Sequence, residues 1–135
     1  MTYEVGARAS LRAMHAMPVE GPEGELHAHD YRVEVMVTRP ELDARGMVVD
    51  LDVLRAAMAA VLEPLRDTDL GSIAPAGAEG VTVEVFARWV HDALADTLAA
   101  EGARTLRTRV WESETEFAGY GADLRAVERG LPAET

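Results

Sequence analysis

Cysteine is absent from this chain of 135 residues, which excludes disulfide bonds, thiolate nucleophiles and thiolate metal sites. Lysine is absent as well, so every fixed positive side chain is an arginine. Acidic residues number 24 against 13 basic ones, and the formal net charge is −11. An acidic chain with scattered arginines has no electrostatic reason to bind nucleic acid or an anionic membrane surface. We therefore expect neither as a partner.

Long apolar runs are also missing from the sequence. None approaches the ~18 to 20 residues that a membrane-spanning helix needs, and residues 1–10 lack the basic and then apolar pattern of a secretion signal. We therefore expect a cytoplasmic protein. Hydrophobic residues make up 48% of the chain and charged residues 27%, which is enough apolar material for a folded core. The length predicts a single domain over residues 1–135.

Hydrophobic periodicity predicts four strands and two helices. Alternation with period two marks strands at 3–15, 27–37 and 105–113, with a less regular fourth at 116–124. Helical spacing marks residues 51–65 and 83–98, after N-caps at Asp50 and Thr82; a short extended run at 47–49 precedes the first helix, and a loop at 71–80 precedes the second. This order predicts an α+β fold, with a four-stranded antiparallel sheet covered on one face by two helices.

Three of the four histidines lie on the apolar side of the predicted strands: His15, His27 and His29. Neutral imidazole is the commonest metal ligand, and three imidazoles leave one position open for water or substrate, as in catalytic zinc sites. The alternative is three half-buried histidines that make ordinary hydrogen bonds. The fourth histidine, His91, falls on the polar side of the second predicted helix, so we expect it at the surface.

Glu112 also follows the apolar parity of its predicted strand. A buried carboxylate is costly unless charge or donors meet it. It either pairs with an arginine or awaits a ligand that offers two adjacent N–H donors. Thr82 and Glu84 have a simpler explanation, because a threonine N-cap followed by an acid in the first turn is ordinary helix capping.

Taken in order, these motifs resemble the 6-pyruvoyltetrahydropterin synthase family, including its bacterial branch of 6-carboxytetrahydropterin synthases. Each motif alone is weak, but five in the right order on the predicted elements are specific. The segments that carry the resemblance are LRAMH at 11–15, LHAHDY at 26–31, GMVVD at 46–50, GVTVE at 80–84, and VWE at 110–112 followed by Tyr120.

The resemblance implies a T-fold, in which two helices are inserted between strands 2 and 3 of a four-stranded antiparallel sheet. Such subunits join through strand edges into a barrel-like oligomer, commonly a hexamer, with the ligand site between subunits. The resemblance further implies zinc held by three histidines and a pterin or purine-like ligand anchored by a glutamate. The implied residues are His15, His27 and His29 for zinc, Glu112 for the anchor, and Thr82 and Glu84 near the pterin.

The catalytic residues of the family do not carry over. Its catalytic cysteine corresponds to Glu23, and the aspartate and histidine of its Leu-Asp-His motif correspond to Arg66 and Asp67. Arginine does not titrate; Arg66 could pair with Asp67 or Asp69, or meet an anionic ligand group. We therefore expect ligand binding without the family's triphosphate elimination. The alternatives are a lyase in which Glu23, Asp67 or Asp69 replaces the base, and a structural ring with a vestigial pocket. The sequence leaves open whether the histidines still hold zinc.

Overall fold

The protein folds as one antiparallel sheet, in the order β1-β2-β3-β4, with two helices on one face. The structure is a computed structural model that describes residues 1–124, so residues 125–135 of the predicted domain lie outside the described part. The predicted fold class is confirmed, and both helices lie between β2 and β3 in sequence. The elements are β1 (Tyr3–His15), β2 (His27–Arg39), α1 (Leu51–Leu62), α2 (Val83–Ala100), β3 (Thr105–Trp111) and β4 (Phe117–Asp123).

The β1-β2 hairpin positions most of the residues that matter for function. Its two strands pair over their whole length, and the last pair before the connecting segment is His15 with His27. The next inward-facing pair is Ala13 with His29, followed by Leu11 with Tyr31. Because side chains on a strand alternate between faces, these inward-facing residues all lie on the face that the helices cover.

Both predicted helix caps are confirmed. The Asp50 carboxylate accepts a hydrogen bond from the Asp52 N–H at 2.8 Å, and Thr82 Oγ1 accepts one from the Val85 N–H at 3.1 Å. Helix α1 ends at Leu62 and continues as a 3₁₀ turn that contains Pro64, because proline cannot extend an α-helix. Within residues 1–124, no helix combines the length and the apolarity that crossing a membrane requires.

One sequence prediction is wrong at this level. His91 is buried, with only 4% of its surface exposed, because β4 extends the sheet across this side of α2 and places the Tyr120 ring 4.7 Å from the imidazole. The polar residues around His91 in the helix gave no sign of this long-range contact. In the short run at 47–49, Val48 and Val49 are buried in the connection before α1.

Candidate metal and ligand site

The three histidines predicted as metal ligands meet at one end of the sheet. Their ring centroids are 4.5 Å apart for His15 and His27, 4.9 Å for His15 and His29, and 4.8 Å for His27 and His29. One ligand nitrogen from each side chain lies within 4.8 Å of the other two. The period-two spacing of β2 and its register with β1 together produce this convergence.

Backbone carbonyls determine which ring nitrogen carries the proton in two of these histidines. The Nδ1–H of His15 donates to the Val81 carbonyl at 2.7 Å, and the Nδ1–H of His27 donates to the Glu25 carbonyl at 2.7 Å. Since a carbonyl oxygen only accepts, Nε2 of each ring keeps its lone pair. All three Nε2 atoms, that of His29 included, are buried without a hydrogen-bond partner.

The donor set fits a zinc ion. Burial lowers the pKa of His15, and the neighbouring His27 and His29 lower it further, which favours the neutral imidazole that a metal needs. Two nitrogens bound to one zinc stand no more than about 4.2 Å apart, since each Zn–N distance is about 2.0 to 2.1 Å. The observed spacing of up to 4.8 Å is above that limit, so the imidazole rings must move closer together to bind one ion. Carbonyl partners behind ligating histidines are the usual means of orienting such rings.

Glu112 lies beside this cluster. It directly follows β3, its side chain is 28% exposed, and its Oε2 is 4.0 Å from Nε2 of His29. Among the described residues no arginine is within ion-pair distance of this carboxylate, so the arginine pairing considered from the sequence is not observed there. The carboxylate thus faces the same space as the histidines, with acceptor capacity left for a ligand.

Tyr31 belongs to the same constellation, although the sequence analysis assigned it no role. Its ring lies 5.5 Å from that of His29 and 5.9 Å from that of His15, and it packs edge-on against Phe86. The side chain is only 1% exposed, and its hydroxyl has no hydrogen-bond partner. Burial raises the pKa of Tyr31, and the charge of Glu112 raises it further, so the hydroxyl stays protonated as a donor. Its position in the sequence could have identified it, because Tyr31 comes two residues after His29 and therefore lies on the same face of β2.

Thr82 and Glu84 do not join the cluster directly. Thr82 uses its hydroxyl to cap α2, as the simpler explanation predicted. Glu84 is exposed in the first turn of α2 and lines a separate groove with Arg88 and Trp89. Their place as pterin-contacting residues stays a prediction.

Glu23, by contrast, is brought to the cluster. It sits in a 3₁₀ turn (Pro22–Gly24), and its Oε2 is 3.6 Å from Nε2 of His27. The turn is held by a hydrogen bond from the Met17 N–H to the Glu23 carbonyl at 2.8 Å. The Glu23 side chain is 70% exposed.

The residues at the family's aspartate–histidine positions have structural partners. Arg66 forms a two-pronged ion pair with Glu63 at 2.8 and 3.1 Å, rather than with Asp67 or Asp69. Asp69 caps a 3₁₀ turn by accepting from the Gly71 N–H at 2.8 Å. Asp67 is exposed, has a φ of 59°, and donates its N–H to the Arg12 carbonyl. None of these contacts forms a proton relay.

Gly80 helps to position the carbonyl of the next residue, Val81, which accepts the hydrogen bond that orients His15. A Cβ at this position would clash with the carbonyl oxygen of Ala16, the same atom that accepts the Val81 N–H at 3.2 Å. We expect Gly80→Ala to displace the Val81 carbonyl and to weaken zinc binding by about 10- to 100-fold, the usual cost of disturbing a metal ligand's hydrogen-bond partner. A zinc competition titration with a chromophoric chelator measures the effect.

Gly77→Ala is the matched control, because it lies in the same connection at a φ of 84° with nothing within 4 Å of an added Cβ. It tests backbone strain without touching Ala16. Equal losses of zinc affinity in both variants would contradict the role given to Gly80.

The fold and site define a small α+β protein with a three-histidine cluster beside a glutamate that has no arginine partner among the described residues. The family model described as 6-pyruvoyl tetrahydropterin synthase matches residues 4–123. A protein of Archaeoglobus fulgidus named as a 6-carboxy-5,6,7,8-tetrahydropterin synthase is 27% identical over 115 residues, which cover 84% of this chain and 91% of that protein. The chain therefore belongs to the 6-pyruvoyl tetrahydropterin synthase family.

Solved structures of this family share the T-fold seen here. A 6-pyruvoyltetrahydropterin synthase of Plasmodium vivax, studied as an alanine variant of a catalytic glutamate, superimposes with a TM-score of 0.72 at 14% identity, covering 91% of this chain and 99% of that one. The enzyme of Caenorhabditis elegans gives a TM-score of 0.70 at 19% identity, covering 91% and 97%.

Proposed function

We propose that the protein binds a pterin or purine-like ligand at the histidine cluster and does not perform the family's triphosphate elimination. One observation carries the proposal: three buried histidine nitrogens without hydrogen-bond partners converge next to the Glu112 carboxylate, which lies 4.0 Å from Nε2 of His29. Buried polar groups without partners are costly in a folded protein. Three of them in one place, beside a carboxylate, indicate a site built for an ion and a ligand.

In this proposal His15, His27 and His29 hold zinc, which when bound supplies a Lewis acid for ligand oxygens. Glu112 accepts two adjacent N–H groups from the ligand's amino-pyrimidine edge, since its two oxygens match that spacing. The Tyr31 hydroxyl, protonated and unpartnered, donates a further hydrogen bond from the covered face of the sheet. Specificity then comes from the ligand groups that satisfy these donors and acceptors.

The residues that stand at the family's catalytic positions support the proposed loss of triphosphate elimination. Arg66 cannot act as a base and is held by Glu63. Asp69 is engaged in capping its turn, and Asp67 is exposed. No imidazole stands at these positions to pass a proton near neutral pH.

We also propose that the protein is a homo-oligomer, most simply a hexamer, with the ligand site near a subunit boundary. Within the described part, β1 and β4 are the two edges of the sheet, and the large apolar side chains of Tyr3 and Phe117 are exposed on these strands. Open strand edges with exposed apolar residues are stabilised by pairing with another chain.

A lyase that uses Glu23 as its base is the second candidate. Two observations favour it: the Glu23 carboxylate lies 3.6 Å from Nε2 of His27, and the related Plasmodium vivax enzyme has a catalytic glutamate. Against it stands the exposure of Glu23, because a side chain open to solvent lacks the fixed position that a general base needs.

Incubation of the zinc-loaded protein with 7,8-dihydroneopterin triphosphate distinguishes the two candidates. We expect no product above the background of a sample without protein, because Glu23 is exposed and Arg66 cannot act as a base. Chromatography of the reaction mixture measures this. Turnover of the order of 1 per second, abolished by Glu23→Gln and retained by Glu20→Gln, would establish the lyase instead.

A further inference from the structure

The sheet face that carries no helix is charged rather than apolar. Two of its arginines have acidic partners on the neighbouring strand: Arg8 with Glu34 at 3.7 Å, and Arg12 with Asp30 at 3.3 Å. These pairs follow the register of the β1-β2 hairpin. Charge on this part of the face is therefore partly balanced within the chain; Arg32, opposite Ser10 and Trp111, has no ion pair within residues 1–124.

Arg107 and Arg109 on β3 are not balanced in this way. Within residues 1–124, neither guanidinium has an oxygen within ion-pair or hydrogen-bond distance; Arg109 only lies over the Phe117 ring at 5.2 Å. The cross-strand neighbours of Arg107 are the uncharged Met36 and Gly121. Arg109 stands opposite Glu34, but the Glu34 carboxylate pairs with Arg8. Within the described residues the two arginines thus have no ion pair of their own, in a chain whose net charge is −11.

Empty space lies on both sides of this arginine pair. A hollow of about 360 Å³ toward β1 is bounded by Gly6, and a hollow of about 300 Å³ toward β4 is bounded by Gly119 and Gly121. Arg107 and Arg109 border both. A Cβ at Gly119 would approach Arg109 Cγ to 3.2 Å, so the missing side chain leaves room beside the guanidinium.

We propose that Arg107 and Arg109 form a binding site for a small phosphate-bearing anion, separate from the histidine cluster. Each guanidinium can donate two parallel hydrogen bonds to phosphate oxygens. Residues two apart on a strand lie on the same face and are spaced by about 6.8 Å. The guanidinium groups of Arg107 and Arg109 can therefore contact different phosphate groups of one polyphosphate. The site lies on the opposite sheet face from His15, His27 and His29, and so does not depend on the proposed function.

Calorimetric titration with inorganic tripolyphosphate, with inorganic phosphate as the shorter probe, tests this site at low salt. We expect tripolyphosphate to bind more tightly than phosphate, and the double variant Arg107→Gln, Arg109→Gln to lose about 100-fold in affinity. This corresponds to about tenfold for each charge-assisted contact. Arg55→Gln is the matched control, because Arg55 is exposed but paired with Asp52 on α1, and it should bind as the unchanged protein does.

A measurement on a second protein variant distinguishes binding at this site from binding at the histidine cluster. Tripolyphosphate binding should persist in metal-free His27→Ala protein, whatever the fate of the proposed pterin site. Binding that disappears in His27→Ala, or that survives in the arginine double variant, would overturn the proposal. A change of oligomer mass in the double variant, measured by light scattering, would instead assign these arginines to a contact between copies and overturn it as well.

Discussion

Zinc affinity should fall by roughly 100- to 1000-fold when His27 is replaced by alanine. Zinc binding in proteins is worth about 10 to 16 kcal/mol in well-formed sites, so one ligand in three or four carries about 3 to 4 kcal/mol, and 1.4 kcal/mol is a factor of ten. His27 is the most suitable ligand to remove, because it lies at the start of β2 and is partly exposed, whereas His15 is buried. Competition titration against a chromophoric chelator measures the loss.

His91→Leu is the control for this variant, because the fourth histidine contacts Asp92 and Tyr120 rather than the cluster. It should keep the zinc affinity of the unchanged protein. Ligand binding to the folded state raises stability, so a chelator should lower the melting temperature of the unchanged protein and of His91→Leu, but not that of His27→Ala. Zinc binding that is equal in all three proteins would refute the metal site.

Pterin affinity should fall by roughly 30- to 150-fold in Glu112→Gln. The substitution keeps the size of the side chain but replaces one acceptor with a donor, which then faces an N–H of the ligand. An unmatched polar group of this kind costs about 2 to 3 kcal/mol. Equilibrium titration with neopterin, followed by its fluorescence, provides the measurement.

Glu114→Gln is the matched control, since it removes an exposed acid two residues away in the same β3–β4 connection. It should leave neopterin affinity unchanged, and light scattering should give the same mass for both variants. If Glu112→Gln bound neopterin as tightly as the control with its assembly intact, the role of Glu112 as the ligand anchor would fail.

Some features of the site were predictable because they depend on local geometry. Period-two spacing alone assigned His27 and His29 to one face of a strand, and the polar residues Asp50 and Thr82 marked where each helix begins. Other features arise between segments distant in sequence. The approach of Glu23 to His27 depends on how the connection between β1 and β2 folds, and the pairing of Arg66 with Glu63 depends on the turn that follows α1.

The sequence by itself determined the strand and helix order, the face on which three histidines lie, and the absence of the family's cysteine and aspartate–histidine pair. Only the tertiary structure decided that His91 is buried, that Tyr31 ends in an unpartnered hydroxyl near the cluster, and that Arg107 and Arg109 stand without acidic partners. The reason is physical. Periodicity reports which way a side chain points relative to its own element, whereas burial and charge pairing depend on which other element arrives opposite it.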